Sequence, residues 1–239
     1  MGQQDVASGI MTGLFVAHGL PSFGEKDLYI SGATYGGWSA EHAMLTALTQ
    51  WEGRRGNATD KWDSVIGSGR ASLYLGVPGA VFVTEDHYAG GSRSRLPLQL
   101  ALGDRQGGVM GYHATALAGA RRNVVHSEFR LSRPAVVMGA DVGIAPFAEV
   151  GTVWKGDAPY GVTATRSTLG FSILAAYPTR SKRLYRADFG FPLTRGGGAG
   201  IEVRVSSMDR TIDFWTEPDD VTRARTGAVP ASLFAWQGR

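Results

Sequence analysis

The chain has 239 residues, of which 34 are glycine and none is cysteine. Without cysteine there is no disulfide framework, no zinc–thiolate site and no thiol nucleophile. Charged residues make up only 19% and the net charge is +3. The basic residues are scattered singly, often two positions from an acid, which argues against a nucleic-acid partner. No run of ~18 apolar residues encodes a transmembrane helix, and the N-terminus lacks the basic n-region of a signal peptide.

Residues 5–20 are small and apolar, closed by His18 and Pro21, and fit a first strand or a short helix. Asp27 to Trp38 alternates weakly and carries Tyr29, Tyr35 and Trp38. The stretch from His42 to Glu52 has helical propensity. Its alternate set Ala43, Leu45, Ala47, Thr49, Trp51 also fits a strand, the assignment favoured here because its surroundings are strand-like. Residues 54–62 read as a polar loop. From Ser64 to Val77, Val65, Ala71, Leu73, Leu75 and Val77 oppose Ser64, Ser68, Arg70, Ser72 and Tyr74. Pro78-Gly79 marks a turn, with a strand from Val81 to Tyr88 and a loop from Gly90 to Arg95. Leu96, Leu98, Leu100 and Leu102 predict one face of a further strand.

Residues 103–112 read Gly103-Asp104-Arg105-Gln106-Gly107-Gly108-Val109-Met110-Gly111-Tyr112. Glycine at this density beside apolar and aromatic residues predicts a loop that folds inward and packs closely. The clearest alternation follows. Val125, Ser127, Phe129 and Leu131 form one face, with Val124, His126, Glu128 and Arg130 on the other. Residues 142–154 predict the next strand. Thr165–Ala175, Tyr185–Pro192 and Ile201–Ser206 are the last three, with Gly196-Gly197-Gly198 read as a tight hairpin. From Asp209 the chain is polar, apart from Leu233-Phe234-Ala235-Trp236. The expectation is ten or eleven strands in an all-β, antiparallel chain.

Three strands place an acid and a base two residues apart on one face: Glu128/Arg130, Arg186/Asp188 and Glu202/Arg204. In a soluble sandwich that face looks outward and the apolar face forms the core. In a membrane barrel it looks into a lumen and the apolar face meets lipid. The small, mixed polar faces favour the barrel. So do aromatics near strand ends (Trp38, Trp51, Tyr88, Trp154, Tyr177, Tyr185) and strands approaching the ~9–11 residues that cross a bilayer. Against it, Pro97, Pro146 and Pro192 lie in or at the ends of candidate strands, where proline removes a ladder donor.

The five histidines, His18, His42, His87, His113 and His126, show no metal-ligand spacing. Glu85-Asp86-His87 near Ser92 invites a hydrolase reading, but there is no G-x-S-x-G elbow. No catalytic residue, metal or cofactor is expected.

Residues 96–206 resemble the C-terminal part of the bacterial surface antigen family, the BamA/TamA-type outer-membrane barrels that insert or translocate other proteins. The resemblance rests on residues 107–112 against the family's Gly-rich GG…LRGY lumen loop, on residues 123–130, on Phe147 to Trp154, and on the order of the closing strands. It implies a transmembrane barrel of about 10–12 strands in this chain (residues 27–208), after an N-terminal segment 1–26 holding a possible first strand and before a tail 209–239. It also implies a bacterial outer-membrane location, with lipid, other barrel chains or client outer-membrane proteins as partners, and assistance to protein insertion or translocation without enzymatic chemistry. A passive pore or structural barrel is the alternative, and a soluble β-sandwich enzyme or binding module a third reading. The implied site is the lumen loop (Arg105, Gly107, Gly108, Met110, Gly111, Tyr112), its strand partners (Glu128, Arg130, Phe147, Glu149, Gly151) and the pairs Arg186/Asp188 and Glu202/Arg204. Met110 stands where the family has a loop arginine, and Glu149 where aspartate is usual. Arg105 is expected to substitute for that arginine by reaching Glu149 or Glu128.

Overall fold

A computed structural model describes residues 8–20, 26–56, 61–93, 98–103, 107–113, 117–137, 139–178, 181, 183–196 and 198–209. The strands are β1 (Gly9–His18), β2 (Asp27–Ala40), β3 (Ala43–Gly56), β4 (Lys61–Val77), β5 (Ala80–Ser92), β6 (Leu100–Ala101), β7 (Ala118–Gly119), β8 (Arg121–Val137), β9 (Ala140–Trp154), β10 (Ala164–Ala176), β11 (Arg183–Pro192) and β12 (Glu202–Asp209). Ten of them form one antiparallel sheet in the order β1-β2-β3-β4-β5-β8-β9-β10-β11-β12. The short β6 and β7 pair only with each other, inside the segment that joins β5 to β8. The main sheet is open: β1 and β12 are its two edges, and they are not paired to each other.

Several elements differ from the sequence expectation. The stretch from His42 is strand from Ala43, as favoured, but β3 runs on past Glu52 to Gly56. Much of the expected polar loop 54–62 is therefore wall. Arg54 is tolerated there because it sits 3.1 Å from Asp27 on β2. Of the expected leucine row, Leu96 lies outside the described residues, and residues 98–102 are not a wall strand. Leu98, Leu100 and Leu102 are buried in the insert between β5 and β8, where Leu98 and Leu100 pack with Ile66 and Ala89. Alternating leucines marked burial correctly, but they do not say against what. The connection at Gly196–Gly198 is also no tight hairpin, since β11 ends at Pro192 and β12 begins at Glu202.

Strand periodicity gives the sheet two unlike faces. The inner face, on which the insert lies, carries Glu52, Arg70, Glu85, His126, Glu128, Glu149, Arg186 and Arg204. Glu52, Glu128 and Glu149 are buried. The outer face carries Ile10, Leu14, Leu45, Leu75, Phe129, Ile144, Val150, Leu169, Ile173 and Val203, all exposed. A sandwich buries its apolar faces between sheets; here the apolar face is the exposed one.

The two ends of the sheet also differ. At one end the connections have two to six residues: 41–42 join β2 to β3, 78–79 join β4 to β5, β9 begins at Ala140 after β8 ends at Val137, and β11 begins at Arg183 after β10 ends at Ala176. The start of β1 and the end of β12 lie at this turn end. At the other, loop end, β2 begins at Asp27 after β1 ends at His18, β4 begins at Lys61 after β3 ends at Gly56, and residues 155–163 and 193–201 and the long insert make the remaining connections. Outer-face Trp51, Tyr88 and Trp154 lie toward the loop end, and Trp38, Tyr177 and Tyr185 toward the turn end.

Candidate functional site

The insert is fastened across the inner face by its backbone. The Met110 N–H donates to Glu149 Oε2 on β9 at 2.8 Å. The next N–H, of Gly111, donates to Glu202 Oε2 on β12 at 2.6 Å. Aiming successive amides at carboxylates on different strands requires the positive φ of Gly111, +84°. Thr168 Oγ1 on β10 donates to the Met110 carbonyl at 2.6 Å, and the Gly200 N–H donates to that of Gly111 at 2.9 Å. The Tyr112 hydroxyl donates to the Ser167 carbonyl at 2.9 Å and accepts from the Thr194 N–H.

Apolar contacts complete the seat. Leu102, Val109, Tyr112 and Leu117 of the insert pack with Val124 of β8 and Val153 of β9. Gly151 and Gly190 make room for the loop side chains. A Cβ on Gly151 would run into Val109 and lie 2.9 Å from Leu102, and one on Gly190 would lie 2.8 Å from Met110 Cβ. Phe147 is buried on the inner face beside the His126 ring, and Gly108 is buried within the loop.

Beneath the clasp lies a cross-strand charge network. Glu128, almost fully buried, pairs with Arg130 on its own strand and with Arg186 of β11 at 2.8 Å. Arg186 also bonds Asp188 at 2.5 Å and the Ser172 hydroxyl at 2.8 Å. His126 stands between two acids, with Nδ1 3.0 Å from Glu149 and Nε2 3.4 Å from Glu128. Arg204 holds Glu202 at 2.7 Å. The carboxylate that clasps Met110 is thus tied, through His126, to the Glu128–Arg186 pair. Buried charges persist only when paired and hydrogen-bonded in this way.

Of the residues singled out from sequence, Gly107, Gly108, Met110, Gly111, Tyr112, Glu128, Arg130, Phe147, Glu149, Gly151, Arg186, Asp188, Glu202 and Arg204 all belong to this clasp or to the inner face around it. Arg105 lies outside the described residues. Glu149 accepts from the Met110 N–H and faces His126, and Glu128 pairs with Arg130 and Arg186. Sequence reasoning missed Thr168, Ser172, Gly190 and Arg122, whose buried guanidinium donates to the Ala101 carbonyl at 2.6 Å. Thr168 and Ser172 were detectable as the polar alternates of Leu169, Phe171 and Ile173.

The Glu85-Asp86-His87 run is not a triad. Glu85 faces inward and holds Arg70 at 2.9 Å, Tyr74 at 3.0 Å and His87 at 3.3 Å. Asp86 faces the other way and accepts from Asn123 at 2.6 Å. Among the described residues no group of histidines and acids could hold a metal ion. The geometry is that of a latch: amides, carboxylates and a histidine fixing one segment across several strands. Comparison with protein-family models, with curated proteins and with solved structures gave no match.

Proposed function

We propose that this chain is the wall of a bacterial outer-membrane β-barrel of surface-antigen type, which assists the insertion or passage of other proteins without enzymatic chemistry. The observation that carries the membrane part is the inverted sheet, with buried charge on the inner face and exposed hydrophobics over the outer face of all ten strands. A soluble monomer rarely exposes an apolar patch of more than a few hundred Å². In hydrocarbon the same face is stabilising, and the aromatics toward both ends fit interfacial girdles. Connections of two to six residues at one end, and mostly longer ones at the other, fit the periplasmic and extracellular pattern of such barrels. An unpaired strand edge is costly in lipid, so β1 and β12 close on each other or on strands from outside this sheet.

The transport part rests on the resemblance of the clasped loop and its strand partners to the lumen loop of the surface antigens. Depleting the chain from its native cell tests it: client outer-membrane barrels should fail to assemble. Unaltered client assembly would leave the second reading, a passive or structural barrel. The observation favouring that reading is that the loop is held through backbone bonds to four connected strands and loops, as a fixed plug is. For either reading, reconstituted chain should show low ion conductance that rises when residues 105–118 are deleted. Equal conductance with and without the loop would remove the plug from both.

A further inference from the structure

The outer face of β8 is apolar in its middle and basic at both ends. Val125, Phe129 and Leu131 are exposed there, between Arg121 at the loop end and Arg133 near the turn end, both exposed as well. Asn123 and Ser127 complete the row, each bonded to β5: Asn123 donates to Asp86 at 2.6 Å, and Ser127 shares a bond with Thr84 at 2.8 Å. The two arginines are twelve residues apart. A strand rising ~3.3 Å per residue and tilted about 40° sets them roughly 30 Å apart across a bilayer, just beyond the ~25 Å apolar band of an outer-membrane barrel. Both therefore fall at headgroup level. Their surroundings differ. Arg121 stands between Gly90 of β5 and Trp154 of β9 in the ladder. Over Gly90 the Arg121 stem and the Tyr88 hydroxyl come together: a Cβ there would lie 3.0 Å from Arg121 Cγ and 2.9 Å from the hydroxyl oxygen. Tyr88 and Trp154 are exposed, as is Lys155, next in the chain. Among the described residues neither the Arg121 guanidinium nor the Tyr88 hydroxyl has a hydrogen bond or ion pair. Asp86, the outer-face acid of β5, is taken by Asn123. Arg133 has no such frame, and its partner across the ladder on β9 is Val142.

We propose that Arg121 and Tyr88, beside Trp154, form a binding site for the phosphate of an anionic lipid headgroup at the loop-end rim of the wall. A guanidinium presents a planar fork of donors that matches two phosphate oxygens at once. The Tyr88 hydroxyl supplies a further donor on the same side, and Lys155 adds positive charge nearby. Tyrosine and tryptophan rings sit at the boundary between headgroup and acyl chain, which places the donors at the depth of the phosphate. Gly90 is what lets the two side chains converge. The inference rests on the reading that the outer face meets lipid, and adds to it a chemical preference among lipids.

The chain has no native cysteine, so Thr152→Cys, opposite Asn123 on the outer face of β9, can carry a single bimane fluorophore. The folded full-length chain is placed in phosphatidylcholine vesicles holding a minor share of phosphatidic acid, with bromine high on the acyl chains of one lipid or of the other. Quenching per mole of each brominated lipid gives the preference beside the site. A basic side chain near a membrane surface is worth about 1 kcal/mol toward an anionic lipid, so phosphatidic acid should be favoured about fivefold. Arg121→Gln should bring the preference close to unity, and Arg133→Gln should leave it. Gly90→Ala keeps the charge but parts the two side chains, and should weaken the preference as well. Equal quenching by the two lipids, a preference that survives Arg121→Gln, or one that Arg133→Gln removes equally would overturn the proposal. Loss of the preference in millimolar inorganic phosphate would assign the site to a soluble anion and overturn it too. Quenching by neither lipid would sink the membrane reading along with the site, whereas equal quenching by both sinks the site alone.

Discussion

Replacing Glu149 by alanine removes the acceptor for the Met110 amide and one of the two acids flanking His126. A hydrogen bond to a charged group is worth about 1.5–3 kcal/mol, and a buried donor left without an acceptor costs about the same. The Met110 carbonyl keeps Thr168, and Gly111 keeps Glu202 and Gly200. The loop is therefore loosened rather than released, by about 2 kcal/mol. At 1.4 kcal/mol per tenfold, opening becomes about 30-fold more frequent. Hydrogen exchange of the folded chain reads this directly: the amides of Met110 and Gly111 should exchange about 30-fold faster in Glu149→Ala, while those in the middle of β4 and β5 stay as they were. The double variant with Glu202→Ala should go further, though not additively, because both carboxylates act on one segment. Unchanged exchange at Met110 would refute the clasp. Equally faster exchange everywhere would mean that Glu149 supports the sheet rather than the loop.

Glu128→Ala leaves Arg130 and Arg186 facing each other without their shared carboxylate, and should lower unfolding stability in urea by about 3 kcal/mol. Adding Arg186→Ala should recover part of that loss, and a purely additive double-mutant cycle would argue against the cross-strand pair. Gly190→Val places side-chain atoms where Met110 packs. It should cost about 1–3 kcal/mol by overpacking and speed exchange of residues 109–112, whereas a neutral result would deny that Gly190 is the seat of Met110. Leu169→Arg, on the outer face, should cost about 2–4 kcal/mol in a bilayer and reduce the folded, membrane-inserted fraction. A chain whose outer face meets water would tolerate it.

Strand identity was legible wherever alternation was strict. In β8 the division between Val125/Phe129/Leu131 and His126/Glu128/Arg130 is the division between the two faces of the sheet. The β3 sequence carries helical propensity in Ala43, Met44 and Leu45, yet forms strand because its neighbours offer two ladders, β2 and β4. Tertiary pairing overrides such local preference. Burial was legible and its partner was not: Leu98, Leu100 and Leu102 show the period of a strand but pack onto the inner face from the insert. The clasp itself was half visible. Glu149, Glu202 and the Gly-rich segment stood out as residue types, but a bond from a backbone amide leaves no trace in sequence. That is why Met110 reads as the loss of an anchor and is held as one. Whether the wall closes was not legible either, since strand edges such as β1 and β12 offer only backbone groups that every residue type shares.

The central claim is that the outer face of this sheet meets lipid. Single cysteines at consecutive positions 125–131 of β8, spin-labelled in reconstituted vesicles, can be compared for relaxation by lipid-soluble oxygen and by a water-soluble nickel chelate. The account predicts a period of two. Labels at 125, 127, 129 and 131 should relax with oxygen, and labels at 126, 128 and 130 should favour the chelate or be shielded from both. Uniform access of the chelate to positions 125, 129 and 131 would contradict it and return the apolar face to a protein interface in water.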